Sequence, residues 1–152
     1  MGGGGYDRFC GAGLNTMILK PDNMPTNFAP SLTLRVLAPA VEFYKNAFGV
    51  SELRRFSNPD GSIHVAELSL GEAMFHLHEE MPGSDERGPE SLKGTTVVLG
   101  VFTDDPDALM SRALAAGARE LSPMQDFDYG LRQGVVVDPF GHHWMIQRKM
   151  QG

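Results

Sequence analysis

The sequence predicts an α+β protein of two βαβββ modules, which form one cup-shaped mixed sheet with the helices outside. The main observation is an internal repeat, because residues 49–53 (Gly-Val-Ser-Glu-Leu) recur as residues 117–121 (Gly-Ala-Arg-Glu-Leu). Each copy follows a predicted helix that begins at a proline, and each precedes a predicted hairpin. A helix on one side of each sheet leaves the other side uncovered, so two modules side by side form a cup.

The first module begins with a strand at residues 29–36, where apolar and polar side chains alternate. Pro39 then occupies the first turn of a helix, and Gly49 ends that helix in the left-handed conformation. Turns containing Pro and Gly separate three further predicted strands, at residues 52–56, 62–70 and 73–79.

The second module follows the same order. Its first strand is predicted at residues 95–102, and Asp105 and Pro106 are a typical N-cap and first residue of the next helix. A short strand is predicted at residues 119–121. The chain then ends in a hairpin around Asp138-Pro139-Phe140-Gly141, whose Pro and Gly positions are typical of a type I turn.

These elements divide the chain into parts of different character. Residues 1–27 are predicted to be an N-terminal extension, because they are rich in glycine and turn residues, and Met24 is a candidate natural start. The modules are predicted at residues 28–80 and 94–150, joined by a polar linker at 81–93, and together they make one domain. The sequence leaves open whether residues 1–23 are native.

Composition excludes several classes of function. The net charge of −6 argues against nucleic acid or an anionic membrane as the partner. The single cysteine, Cys10, excludes an intrachain disulfide framework and favours a reducing, cytoplasmic location. No apolar run approaches the roughly 20 residues of a membrane span, and no signal peptide is evident.

Two motifs extend this prediction to a known family. Residues 42–49 (Glu-Phe-Tyr-Lys-Asn-Ala-Phe-Gly) and the Asp-Pro-Phe-Gly-His turn at 138–142, together with the doubled module, resemble the vicinal oxygen chelate superfamily. This superfamily contains glyoxalases, bleomycin-resistance proteins and extradiol dioxygenases, and its PhnB-like branch is the most similar. The resemblance covers about residues 28–150. It implies a fold, but not one chemistry, because members include lyases, dioxygenases, thiol transferases and non-catalytic drug binders.

The resemblance also implies where a metal site would lie. In metal-using relatives, the ligands come from cup-facing positions of strands one, four, five and eight. The corresponding residues here are Ser31, His76, Val97 or Val98, and Met145, with Gln147 one step further. Only His76 is a typical ligand for a first-row metal, whereas a divalent site normally has at least three protein ligands. We therefore expect no cofactor, with a divalent nickel, cobalt, manganese, iron or zinc ion at His76 as the alternative.

Glu67 and His76 are the candidate catalytic residues. His76 and His78 share a face of strand four. They are either a pair of metal ligands or a general base with a helper. We favour a third interpretation, in which they are polar residues on an open sheet face. Glu67 is predicted to lie beside His76 on the adjacent strand. This pair either shuttles a proton or binds a metal ion with two ligands, or it is a structural polar pair in which each group satisfies the other.

The candidate binding residues are side chains predicted at the cup or its rim. Arginines there would suit a carboxylate or phosphonate, and aromatic residues would suit a flat ligand or pack under a loop. Arg54 is expected to be a surface residue. The complete set is Ser31, Thr33, Arg35, His78, Phe102, Tyr129, Arg132, His143, Met145 and Gln147.

The expected function is binding of a small planar or anionic molecule in the cup without the family metal, as in bleomycin-resistance proteins. The alternative is a metal-dependent lyase, isomerase or dioxygenase with a rearranged site at His76, so the sequence leaves open whether the protein is an enzyme. We expect a homodimer, because paired modules leave open sheet edges. The modules pair either within one chain or between two chains.

Overall fold

The computed structural model describes residues 25–151. The predicted extension at 1–27 therefore lies almost entirely outside the described residues. The strands are β1 (Ser31–Leu34), β2 (Ser51–Ser57), β3 (Ile63–Leu70), β4 (Ala73–Glu79), β5 (Val98–Phe102), β6 (Arg119–Asp126), β7 (Leu131–Val137) and β8 (His143–Lys149). The helices are α1 (Ala38–Phe48), α2 (Pro89–Leu92) and α3 (Pro106–Ala116).

The two halves of the chain fold in the same way. Each forms a four-stranded mixed sheet, in the order β1-β4-β3-β2 in the first module and β5-β8-β7-β6 in the second. In each sheet the first pair is parallel and the other two pairs are antiparallel. The predicted α+β class and the internal repeat are therefore confirmed.

Helices α1 and α3 begin and end where the sequence predicts. Gly49 has a φ of +68°, a conformation that glycine adopts without strain, and its N–H donates to the carbonyl of Lys45. The Asp105 carboxylate accepts a hydrogen bond from the Ala108 N–H at 3.0 Å and so caps α3. None of the helices among residues 25–151 has the length and apolarity to span a membrane.

Two features differ from the prediction. Helix α2 lies in the stretch that was predicted as a linker, where Pro89 provides a favourable first turn. Strand β6 continues beyond Pro123, although proline usually interrupts a strand. The strand tolerates it because β6 is at the edge of its sheet and its pairing with β7 is irregular at that point.

The two modules share one hydrophobic core. Helices α1 and α3 pack against each other, and the core joins residues from both helices and both sheets. Trp144 on β8 lies against three aromatic rings of the first module, with centroid distances of 5.5 Å to Tyr44, 4.7 Å to Phe48 and 5.7 Å to Phe75. The helix-covered faces of both sheets thus point into this core, and the opposite faces point away from it.

A buried carboxylate fastens the modules together. Asp138 accepts hydrogen bonds from the Tyr44 hydroxyl at 2.5 Å and from the Trp144 indole N–H at 2.9 Å. Its other oxygen accepts from the backbone N–H groups of Phe140 and His142. Burial, followed by the Asp138 charge, raises the pKa of Tyr44 well above its ordinary value. The turn predicted from sequence therefore also holds α1.

Removing the Tyr44 hydroxyl should destabilise the fold. Tyr44→Phe leaves the buried Asp138 one donor short, so we expect the free energy of unfolding in urea to fall by about 1–3 kcal/mol. The matched control is Tyr129→Phe, since Tyr129 is exposed, and its expected effect is below about 0.5 kcal/mol. If Tyr44→Phe lowered the free energy of unfolding as little as Tyr129→Phe does, the hydroxyl of Tyr44 would not be needed for stability.

The same side chain should make stability depend on alkaline pH. Because the folded-state pKa of Tyr44 is raised, the phenol stays protonated when folded but ionises when unfolded above about pH 10. The unfolding free energy should therefore fall as pH rises above that value, and Tyr44→Phe should lose this part of the slope. Urea titrations of both proteins across the alkaline range measure it, and identical slopes would contradict the assignment.

Candidate functional site

The sheet face of the first module that points away from the core carries a row of polar side chains, which we call the polar face. Strand pairing places Ser31 beside His76, His76 beside Glu67, and Glu67 beside Arg54. These residues come from β1, β4, β3 and β2, so the row crosses the whole sheet. The predicted juxtaposition of Glu67 and His76 is therefore present.

Glu67 is the centre of this row. It is only 8 % exposed, and its two oxygens face different partners. One oxygen accepts from Nε of Arg54, and the other lies 3.7 Å from Nε2 of His76. Arg54 is exposed, as expected of a surface residue, and it also forms an ion pair with this buried carboxylate and lies 5.2 Å from the Phe56 ring centroid. The row holds a paired charge, and the Glu67 carboxylate finds its partners within the row itself.

A second row lies beside the first. Thr33 pairs with His78, and His78 pairs with Val65. Nδ1 of His78 lies 2.8 Å from the backbone oxygen of Glu79. The backbone carbonyl oxygen of Thr33 forms a hydrogen bond with Nε2 of His142 in the other module, at 3.1 Å. His142 thus contacts backbone, as its position after the turn suggests.

The corresponding face of the second module, which we call the apolar face, has a different character. Gly100 pairs with Met145, and Phe102 pairs with Gln147. Val98, beside His143 in the next row, is 50 % exposed, and Phe102 is 59 % exposed. This face is open and mostly apolar, with the amide of Gln147 as one of its polar groups.

Three predicted binding residues, Arg35, Tyr129 and Arg132, lie away from the row of polar side chains around Glu67. Arg35 donates to the hydroxyl of Ser91, a residue of α2, at 3.0 Å. Tyr129 is exposed at the β6–β7 turn, where its ring stacks on Phe127 with centroids 5.1 Å apart. The structure brings neither residue together with the polar row of Glu67.

Arg132 is engaged by carboxylates. Its guanidinium donates to both oxygens of Asp107 and to Asp126, at 2.7–2.9 Å. The hydrogen bonds to Asp107 and then to Asp126 raise the pKa of Arg132 further above its already high value. In this arrangement the side chain fastens α3 to the β6–β7 hairpin.

The residues present do not fit the metal of metal-using relatives. By strand pairing, the row of the second module that corresponds to Ser31 and His76 holds Met145 and, at the strand-five position, Gly100 instead of the expected Val97 or Val98. A missing side chain and a soft thioether are poor ligands for a borderline or hard ion. Within residues 25–151, no group of three or more His, Cys, Asp or Glu side chains is placed to hold a metal ion.

The fold and these faces define an α+β protein of paired βαβββ modules with two open sheet faces. The model of the Glyoxalase/Bleomycin resistance protein/Dioxygenase superfamily matches residues 31–146. The chain therefore belongs to this superfamily, as the sequence motifs indicated.

Relatives and solved structures agree with this assignment. An uncharacterised protein of Mycobacterium tuberculosis is 38 % identical over 132 residues, which cover 82 % of this chain and 78 % of that protein. The crystal structure of TioX from Micromonospora sp. ML1 is similar with a TM-score of 0.67 and 28 % identity, covering 83 % of this chain and all of TioX. An Arabidopsis thaliana protein of known structure has a TM-score of 0.65 and 27 % identity, covering 83 % of this chain and 99 % of that one.

The Arg54–Glu67 ion pair should contribute measurably to stability. Arg54→Met leaves a buried carboxylate without its cation, so we expect the unfolding free energy to fall by about 1–3 kcal/mol. Arg55→Met, on the same strand, leaves Glu52 with Lys45 as a second cation and should cost less than about 1 kcal/mol. Adding Glu67→Gln to Arg54→Met should restore part of the loss. Urea unfolding measures all three, and equal small effects would contradict this role.

Proposed function

We propose that this protein binds a small planar molecule in a cup, without the metal of its metal-using relatives. The polar face of one chain and the apolar face of a second chain form this cup. The observation on which the proposal depends is the apolar face, where Val98 and Phe102 are about half exposed beside Met145. Open apolar surface of this kind on a folded protein marks a binding surface.

The pairing of the three candidate arginines favours a planar ligand over an anionic one. An anion would need a cation that is free to form forked hydrogen bonds, but Arg35, Arg54 and Arg132 all pair with carboxylates. The chain is also acidic, with a net charge of −6. A flat, mostly neutral ligand would instead lie against Phe102 and Met145, and Gln147 would supply a hydrogen bond at its edge.

The arrangement of the modules favours a dimer. Since both helix-covered faces point into one core, the polar and apolar faces of a single chain point away from each other. One chain therefore leaves both faces open to solvent. Strands β1 and β5 are at sheet edges, and such edges favour pairing with a second copy. We therefore propose that modules of different chains face each other. Separately, we propose a cytoplasmic location.

Two further parts of this proposal rest on the sequence. We retain residues 28–80 and 94–150 as the two modules, with the linker at 81–93.

The alternative function is a metal-dependent lyase, isomerase or dioxygenase that uses His76. The contact between His76 and Glu67 favours it, but the other donors do not fit, so we derive no reaction step from it.

A matched pair of dyes tests the ligand class. The probes are N-phenylnaphthylamine, which is flat and neutral, and its sulfonated analogue anilinonaphthalenesulfonate. We expect the neutral dye to bind the folded chain with a rise in fluorescence. Gly100→Leu should weaken its binding at least about tenfold, because the new side chain fills the floor of the cup. An added Cβ there comes within 3.0 Å of the end of the Gln147 side chain, which must shift to admit it.

The control is Ala115→Leu. Ala115 is exposed on α3, which packs on the core side of the sheets and not on the apolar face. Dye binding by this variant should stay within about twofold of the unsubstituted protein, and near-ultraviolet circular dichroism should confirm that both variants are folded. Equal weakening by both substitutions would contradict the site. Much tighter binding of the sulfonated dye would show that the ligand is an anion.

A complementation experiment tests whether two chains share the cup. Ser31→Arg should block the polar face and Gly100→Leu the apolar face, so each variant alone should bind the neutral dye at least about tenfold more weakly. In a mixed dimer, one cup receives both substitutions and the other receives none. Co-expression should therefore restore binding. If each cup were built within one chain, co-expression would restore nothing.

A further inference from the structure

Two histidines meet at one end of the β3–β4 hairpin. The rings of His64 and His78 have centroids 4.8 Å apart and planes inclined by 66°, and both residues are half-buried. We call them the histidine pair. Strand pairing alone does not bring them together, since Val65 rather than His64 lies beside His78.

Hydrogen bonds fix the orientation of both rings. Nδ1 of His64 is 2.8 Å from a carboxylate oxygen of Glu79, and Nδ1 of His78 is 2.8 Å from the backbone oxygen of the same residue. Both oxygens can only accept, so each Nδ1 carries a proton and donates. In the neutral rings, each Nε2 then has a free lone pair. Neither Nε2 is a donor or acceptor in the hydrogen bonds described for residues 25–151.

The spacing suits two ligands of one ion. A zinc ion lies about 2.0–2.1 Å from a coordinating histidine nitrogen, and therefore roughly 3.2 Å from the centre of the ring. Two imidazoles on one tetrahedral ion thus have centroids about 5 Å apart. The observed separation of 4.8 Å agrees with this value.

Glu79 is placed as an outer partner of such a site. Its carboxylate oxygen also accepts from the side-chain amide of Asn58 at 2.9 Å. Burial alone would raise the pKa of Glu79, but hydrogen bonds from Asn58 and His64 outweigh it and lower the pKa, so the carboxylate stays charged. A charged carboxylate that accepts from Nδ1 of a histidine orients the ring and makes Nε2 a stronger ligand.

We propose that the histidine pair binds a divalent zinc, nickel or copper ion through both Nε2 atoms, with water in the remaining positions. Imidazole suits these borderline metals. Two protein ligands make an open, exchangeable site rather than a closed structural one. The site would lie at the end of the hairpin, separate from His76, whose Nε2 faces Glu67. The site borders the ligand cup proposed above, because His78 lies in the second row of the polar face.

Metal titration of matched variants tests this site. The full chain is used without a histidine tag and with Cys10→Ser, so that neither a tag nor the thiol contributes. Calorimetry with zinc and with nickel should show one ion per chain. His64→Gln and His78→Gln should each weaken binding at least about tenfold, and Glu79→Gln should weaken it about tenfold. The matched control, His76→Gln, should stay within about twofold.

Pulsed electron paramagnetic resonance of the copper-loaded, otherwise unsubstituted chain provides a second measurement that no substitution can disturb. The remote nitrogens of two coordinated imidazoles should be detected. One imidazole or none would overturn the proposal, as would unchanged binding in both His64→Gln and His78→Gln. Loss of binding in His76→Gln alone would also overturn it, because the ion would then occupy the position used by metal-dependent relatives.

Discussion

The buried carboxylate of Asp138 is the interaction on which the arrangement of the two modules depends. It accepts from Tyr44, from Trp144 and from two backbone N–H groups of its own turn. A buried carboxylate without such donors is strongly unfavourable, so the turn and the docking of α1 stabilise each other. One side chain thereby joins a local feature, the final hairpin, to the packing of the whole chain.

This docking determines which surfaces remain for recognition. The modules meet through their helix-covered faces, so the opposite faces are left open on different sides of the chain. The repeated scaffold then presents two chemistries at equivalent positions. Ser31, His76 and Glu67 in the first module correspond by pairing to Gly100, Met145 and Val135 in the second. Folding constrains the core faces, whereas the open faces are free to diverge.

The sequence predicts what depends on local pattern. The alternation of apolar and polar residues and the helix-capping residues correctly predict the two modules, the ends of α1 and α3, and the neighbouring positions of Glu67 and His76. Alternation shows which face of a strand is buried but not against what, so it could not show that both modules share one core. It also could not predict that Arg54 pairs with Glu67, or that His64 approaches His78, because side-chain reach at an edge or strand end decides those contacts.

The same ion pairs that stabilise the chain also limit how it can recognise a ligand. Arg54 and Arg132 are held by carboxylates, so little free positive charge remains at these positions to attract an anion. Recognition on the apolar face would then depend on contact area and on exclusion of water. A single open face cannot exclude water from a small flat molecule, whereas two opposed faces can. In the proposed cup, assembly of two chains and binding of the ligand are therefore one physical requirement.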